Sequence, residues 1–411
     1  MQQASSRIPS LDGLRAISVV LVLLGHLAGT RGFPTAFGFF IHFADFGVRV
    51  FFVISGFLIT TLLLKEQART GSIKLRDFYL RRAYRILPAA YAYMGVVTVV
   101  YWSRLHFGAV AAAFLYVTNY ADHTWVFGHL WSLSIEEQFY LLWPLTLAFA
   151  FTKRRGIAIG VILAGPAMRI LFYFTPFRAT AGTYFPTVAD ALATGCLLAI
   201  SRPNLNRYAH ILKSRWMLAA GVLALVIQYS KSSYGPAYYV LGLTIIHVCI
   251  ALTINHVITR PYAILNASPI VYIGVLSYSL YLCQQPFLNR ASATPITAFP
   301  LNIVLAVSAA LLCHYFVERP FLNARRRHMG AECDLARNAK SLAPSETYGP
   351  VDLKQAGQNH QERAGYPSGS TASLSPMLIT VTAHTSHSNR NDFSQAGLTP
   401  ADPLTATKEQ L

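Results

Sequence analysis

Charge is scarce in this chain of 411 residues. Asp, Glu, Lys and Arg together make up 12%, about half the ~25% of an ordinary soluble domain. Acidic residues are scarcest, at 17 against 34 Lys and Arg. Cysteine is also rare. Five thiols, four of them (Cys196, Cys249, Cys283 and Cys313) inside apolar stretches and Cys333 near the end, exclude a disulfide scaffold and show no metal-ligand spacing. No internal repeat stands out, so an inverted-repeat carrier finds no support. No small-x-small cleavage site follows the first apolar run, which is therefore read as a retained span rather than a secretory signal. The basic residues fall between apolar runs instead of forming one patch, which argues against a nucleic-acid partner and for a membrane topology signal.

What the chain has in abundance is apolar length. Hydrophobic residues make up 54%, including 25 Phe and 22 Tyr, and mean hydropathy is +0.40. A membrane span needs about 20 mostly apolar residues. Runs of that kind lie at about 14–30, 46–64, 86–103, 131–151, 157–174, 187–201, 216–229, 237–255, 270–288 and 301–317. The shorter run 109–120 reads as an interfacial or re-entrant helix. With the N-terminus inside, twenty Lys and Arg fall in inner segments, and only Arg31, Arg104, Arg178, Lys231 and Arg290 fall in outer loops. That bias places both termini in the cytoplasm. The expected fold is all-α: a polytopic membrane helix bundle of about ten transmembrane helices over residues 1–327, followed by a disordered cytoplasmic tail over 328–411. The tail is rich in Ser, Thr, Pro, Ala and Gln with few large apolar residues, a composition too poor to build a core.

Several polar residues interrupt the apolar runs. Arg15 and His26 are eleven apart, about three helical turns, so they project from one face roughly 16 Å apart along the axis. Arg15 belongs at the cytoplasmic mouth and His26 deep in the membrane. Read alone, the pair is first a His bonded to a neighbouring helix and an Arg snorkelling to headgroups. In the second run, Ser55 and Gly56 allow close helix approach, and Arg49 near the outer end can snorkel or meet Asp45. Next comes FYLRRAYRILP over 78–88. Arg81, Arg82 and Arg85 share one side of a helix there and repel one another, which a phosphate would relieve; a topology and headgroup signal is the plainer account. The block His129 to Pro144, HLWSLSIEEQFYLLWP, carries Glu136 and Glu137 into a span, where each needs a partner or water. Asp190, the stretch SYSLYLCQQP over 277–286 and the block VERP over 317–320 follow.

Together these blocks resemble the acyltransferase family 3 membrane proteins, in order, over residues 10 to 322. The resemblance implies an integral-membrane O-acyltransferase that takes an acyl group, commonly acetyl, from cytoplasmic acyl-CoA. The acceptor is a hydroxyl of a carbohydrate or glycoside. It implies that His26 is the central catalytic residue, that Arg15 is its essential partner, and that the Arg81–Arg85 region helps hold the donor. Glu136 or Asp190 is a candidate to orient the second nitrogen of His26. His26 acts as general base on the acceptor hydroxyl, or forms a covalent acyl-His. No metal and no permanently bound cofactor are expected; acetyl-CoA enters as a substrate. The implied setting is a bacterial-type inner membrane, with membrane lipid around the bundle. Two positions depart from the family pattern: Cys283 and Gln284 stand where Trp-His is common before Gln-Pro, and Arg49 where Asp is common. Neither is given a catalytic role. The additional hydrolase-like domain of some members is not expected. The rival reading is a proton-coupled transporter or flippase with the buried His and carboxylates as a relay.

Overall fold

The computed structural model describes residues 8–327, apart from 9, 122, 123, 180, 206 and 208. The stretch 328–411, read from sequence as a tail, lies outside the described residues. Among the described residues there is no strand, and helices occupy all ten apolar runs. They are α1 Leu11–Leu27, α2 Ala44–Thr70, α3 Leu75–Val100, α4 Leu130–Phe149, α5 Arg154–Tyr173, α6 Phe185–Leu205, α7 Met217–Tyr229, α8 Leu243–Thr259, α9 Ser268–Cys283 and α10 Leu301–Cys313. A π turn at His314–Glu318 carries the last helix on to Arg327. The short run near 109 forms the helix Phe107–Phe114, capped by the His106 ring accepting from the Ala109 amide.

Five segments are long and apolar enough to cross a membrane: Thr35–Thr70, Leu75–Val100, Phe151–Tyr173, Gly235–Thr259 and Leu301–Arg327. Met217–Tyr229 and Ser268–Cys283 are apolar but shorter, and α1 has 17 residues. The chain is thus a multi-pass membrane protein; ten crossings belong with the proposals below.

Small residues set the helix spacing. The most extensive packing is of α2 on α6, through two reciprocal glycines. A Cβ on Gly56 would meet the Leu192 carbonyl oxygen, and one on Gly195 the Val53 carbonyl oxygen. Close backbone approach of this kind is how helices associate where no hydrophobic drive separates protein from lipid. On the other side of α1, Gly274 of α9 sits against the Asp12 carbonyl oxygen in the same way. The Asn266 side chain accepts from the Ser10 amide at 2.8 Å and pins the start of α1. These contacts bring α1, α2, α3, α4 and α9 around one polar interior.

Candidate active site

A cavity of about 860 Å³ opens where α2 runs into α3. Lys65, Arg69, Lys74, Arg81 and Arg325 line its mouth, with Arg15, Arg82 and Arg85 further in. The sequence grouped Arg81, Arg82 and Arg85 as one cluster awaiting an anion. The fold divides them. Arg81 reaches Glu66 at 3.0 Å. Arg82 lies 3.7 Å from Glu136 and 3.8 Å from Glu137, with its guanidinium 3.4 Å above the Tyr140 ring. Arg85 lines the cavity together with Arg15, and among the described residues no carboxylate stands within ion-pair distance of it. The reason is tertiary: α2 and α4 deliver carboxylates to the first two arginines and not to the third. Arg15 itself pairs with Asp12, at 4.0 Å.

Glu136 faces this cavity. Ser55 and Tyr140 both donate to its Oε1. These donors and Arg82 account for a carboxylate placed about two turns into an apolar helix.

His26 occupies the last turn of α1, so it sits at the opposite end of the helix from Arg15, and it does not line the cavity. Its ring meets Trp125 edge-on at 6.2 Å, and Trp125 donates its indole N–H to the Gln285 carbonyl at 2.7 Å. His129 is the second imidazole of this group. Its Nε2 lies 3.1 Å from the Leu282 carbonyl oxygen, an acceptor, so Nε2 carries the proton and Nδ1 keeps a lone pair. The cavity and the histidines meet at Tyr281. Its ring lines the cavity and lies 5.5 Å from that of His129. Its hydroxyl donates to the His129 carbonyl at 2.9 Å and takes the Ser132 hydroxyl at 2.5 Å. Arg290 donates to the Gly25 carbonyl at 2.6 Å and ties the end of α1 to the loop after α9.

Neither carboxylate proposed to orient His26 reaches it. Glu136 is held in the cavity as described, and Asp190 lies elsewhere, in a buried network of α2, α5, α6 and α8. There Arg169 donates to Asp190 Oδ2. Thr244 donates to the same oxygen at 2.9 Å, and His247 Nδ1 does so at 3.2 Å. Arg49, expected to snorkel or meet Asp45, points inward instead. It is 6% exposed and donates to His247 Nε2 at 3.3 Å. Lys231 takes Asp45 instead, at 3.1 Å.

Sequence reasoning thus found the pieces of the cavity but missed Trp125, His129 and Tyr281 as companions of the site. His129 and Tyr281 stand inside recognised blocks, yet their meeting spans 152 positions, and no local pattern encodes it.

Comparison with known proteins bears on the same residues. A family model described as an acyltransferase domain matches residues 8–318. The chain is 33% identical to the peptidoglycan O-acetyltransferase OatA of Listeria monocytogenes, over 76% of this chain and 55% of that protein. It is 31% identical to a putative peptidoglycan O-acetyltransferase of Bacillus subtilis, over 76% and 54%. A putative O-acetyltransferase of Staphylococcus aureus is also 31% identical, over 76% and 57%. The chain spans just over half the length of these relatives. No solved structure matches it significantly. The match covers α1 with Arg15 and His26, the α3 arginines, the α4 carboxylates and the α9–α10 blocks, and on that extent the chain belongs to the acyltransferase family 3.

Proposed function

We propose that this protein is a membrane O-acyltransferase that moves an acyl group, acetyl by preference, from cytoplasmic acyl-CoA to a hydroxyl of a carbohydrate or glycoside at the other face. The observation that carries the reading is one path. One cavity is lined both by the basic residues and by Tyr281 and Ser132, and the Tyr281 ring lies 5.5 Å from that of His129, beside His26.

In this reading the phosphates of coenzyme A rest at the basic end, where Arg85 has no carboxylate within ion-pair distance among the described residues and Arg15 has one long pair with Asp12. Guanidinium–phosphate bonds are charge-assisted and directional. The pantetheine arm runs along α1 toward His26, roughly 16 Å from Arg15 by helix rise. His26 takes the acceptor proton as general base. The basic end is cytoplasmic by the positive-inside rule, which gives ten crossings and both termini inside a bacterial-type inner membrane. The names of the relatives suggest a peptidoglycan-like saccharide as the acceptor class.

A proton-coupled carrier is the second reading, and the buried Arg49–His247–Asp190–Arg169 network is the observation on its side. The deciding experiment uses the purified full chain in detergent, where no gradient exists. Release of free CoA from acetyl-CoA, accelerated by added saccharide and lost in His26→Ala, supports transfer. Absence of turnover, with proton-coupled uptake in vesicles, supports the carrier.

A further inference from the structure

Buried polar atoms without hydrogen bonds are concentrated around His26. They include Nδ1 of His26, Nδ1 of His129, both amide atoms of Gln284, Oε1 of Gln285 and Nε of Arg290. Burying polar groups unpaired is costly, so such a concentration leaves donors and acceptors open to a water or a ligand.

Gln284 is the most pronounced case. It is 0% exposed, and neither its amide nitrogen nor its amide oxygen has a well-formed hydrogen bond. It follows directly on α9, and its side chain lies against His26. Its neighbours are fixed: the Leu282 carbonyl takes His129 and the Gln285 carbonyl takes Trp125. Tyr281, the residue at the end of the cavity, is three positions earlier, the spacing that places two side chains on one face. A group that passes Tyr281 therefore meets Gln284 and His26 together. Arg290 is less suited to bind that group, because it is committed to the Gly25 carbonyl and packs its stem on Gly29.

We propose that Gln284 forms the subsite for the acyl carbonyl, with its Nε2–H aimed at the carbonyl oxygen of the donor thioester. This rests on the acyl-CoA reading above. The acceptor O–H bond breaks as its proton passes to His26, and the acceptor oxygen bonds to the carbonyl carbon. The carbonyl π pair moves to its oxygen, which the Gln284 amide holds. The pair then returns, the C–S bond breaks, and the CoA thiolate takes the proton from His26. A neutral amide fits this task, since it donates to negative charge as it develops without neutralising the base beside it.

The test compares Gln284→Met, Gln284→Glu and Gln284→His in the purified full chain at equal amounts. CoA release from acetyl-CoA and acetyl-CoA affinity are measured separately. Met removes the donor, Glu is near-isosteric and presents only acceptors once ionised, so it is assayed above the pH at which a buried carboxyl gives up its proton, and His restores a ring N–H. Met and Glu should slow turnover roughly 100- to 1,000-fold, the usual cost of one oxyanion donor, with donor affinity changed less than about threefold. His should stay within about tenfold of the unaltered protein. Glu serves as the second probe where Met fails to fold. Turnover by Met or Glu near the unaltered rate overturns the subsite, as does a His variant no faster than Met. Failure of the parent reading looks different: the unaltered protein then releases no CoA, or His26→Ala releases it normally.

Discussion

Arg85 and Arg15, two guanidiniums from different helices, line the same cavity. Their neighbours Arg81 and Arg82 are already matched by Glu66, Glu136 and Glu137. Like charges held together in a partly buried site mark a place for an anion, and the unequal pairing ranks the arginines. Arg85→Gln and Arg15→Gln should each weaken acetyl-CoA binding about 10- to 100-fold, since a charge-assisted bond is worth about 1.5–3 kcal/mol. Arg81→Gln should weaken it only a few-fold. Calorimetric titration with acetyl-CoA at two salt concentrations checks this, and equal losses at all three positions would remove the ranking.

His26→Ala should leave donor affinity near normal while turnover falls about 10²–10⁴-fold, the usual worth of a general base. Arg15, roughly 16 Å away along α1, should show the opposite pattern, with affinity lost first. Binding and single-turnover measurements on the two variants separate the roles. Near-normal turnover in His26→Ala would end the proposed mechanism.

The Ser55–Glu136–Tyr140 bonds and Arg82 form one unit. Glu136→Gln can keep an acceptor oxygen for the two hydroxyls but leaves Arg82 with Glu137 alone. Both single changes, Glu136→Gln and Arg82→Gln, should lower thermal stability in detergent. The double change should recover about 1–3 kcal/mol of the summed loss, as expected for groups in direct contact. Strict additivity in that cycle would show that the pair is not coupled.

Gly56→Val tests the close crossing of α2 and α6. Its side chain would collide with the Leu192 backbone, and overpacking of this kind costs about 1–3 kcal/mol or more. A lower melting temperature, or loss from the membrane fraction, is expected. Gly71→Val, where a Cβ would meet nothing, tests a different cost, because Gly71 sits at φ 74° after α2. Its loss should be confined to about 1 kcal/mol of backbone strain.

A reporter fused after Arg327 should be active only in the cytoplasm, as the distribution of Lys and Arg requires. Periplasmic activity would reverse the topology and move the basic cavity to the face where no acyl-CoA is found.

What was legible in the sequence follows from local physics. Apolar length placed helices in the apolar runs, because a backbone in lipid must satisfy its own hydrogen bonds and does so along the helix. The blocks around Arg15, His26, Arg81–Arg85 and Glu136 carried the resemblance that the family match extends over residues 8–318. Partnership between helices was not legible, since it depends on which faces meet after packing. Arg49 turned inward to His247 because α8 lies beside α2, and Asp190 was drawn into that network and away from His26. Gln284 looked like a mere departure from pattern until α9 set it against the last turn of α1. The sequence by itself determined where helices form and which polar residues they carry. The tertiary structure alone decided which arginines are already neutralised, where the cavity stops, and which polar atoms around His26 await a partner, because each depends on contacts between residues tens to hundreds of positions apart.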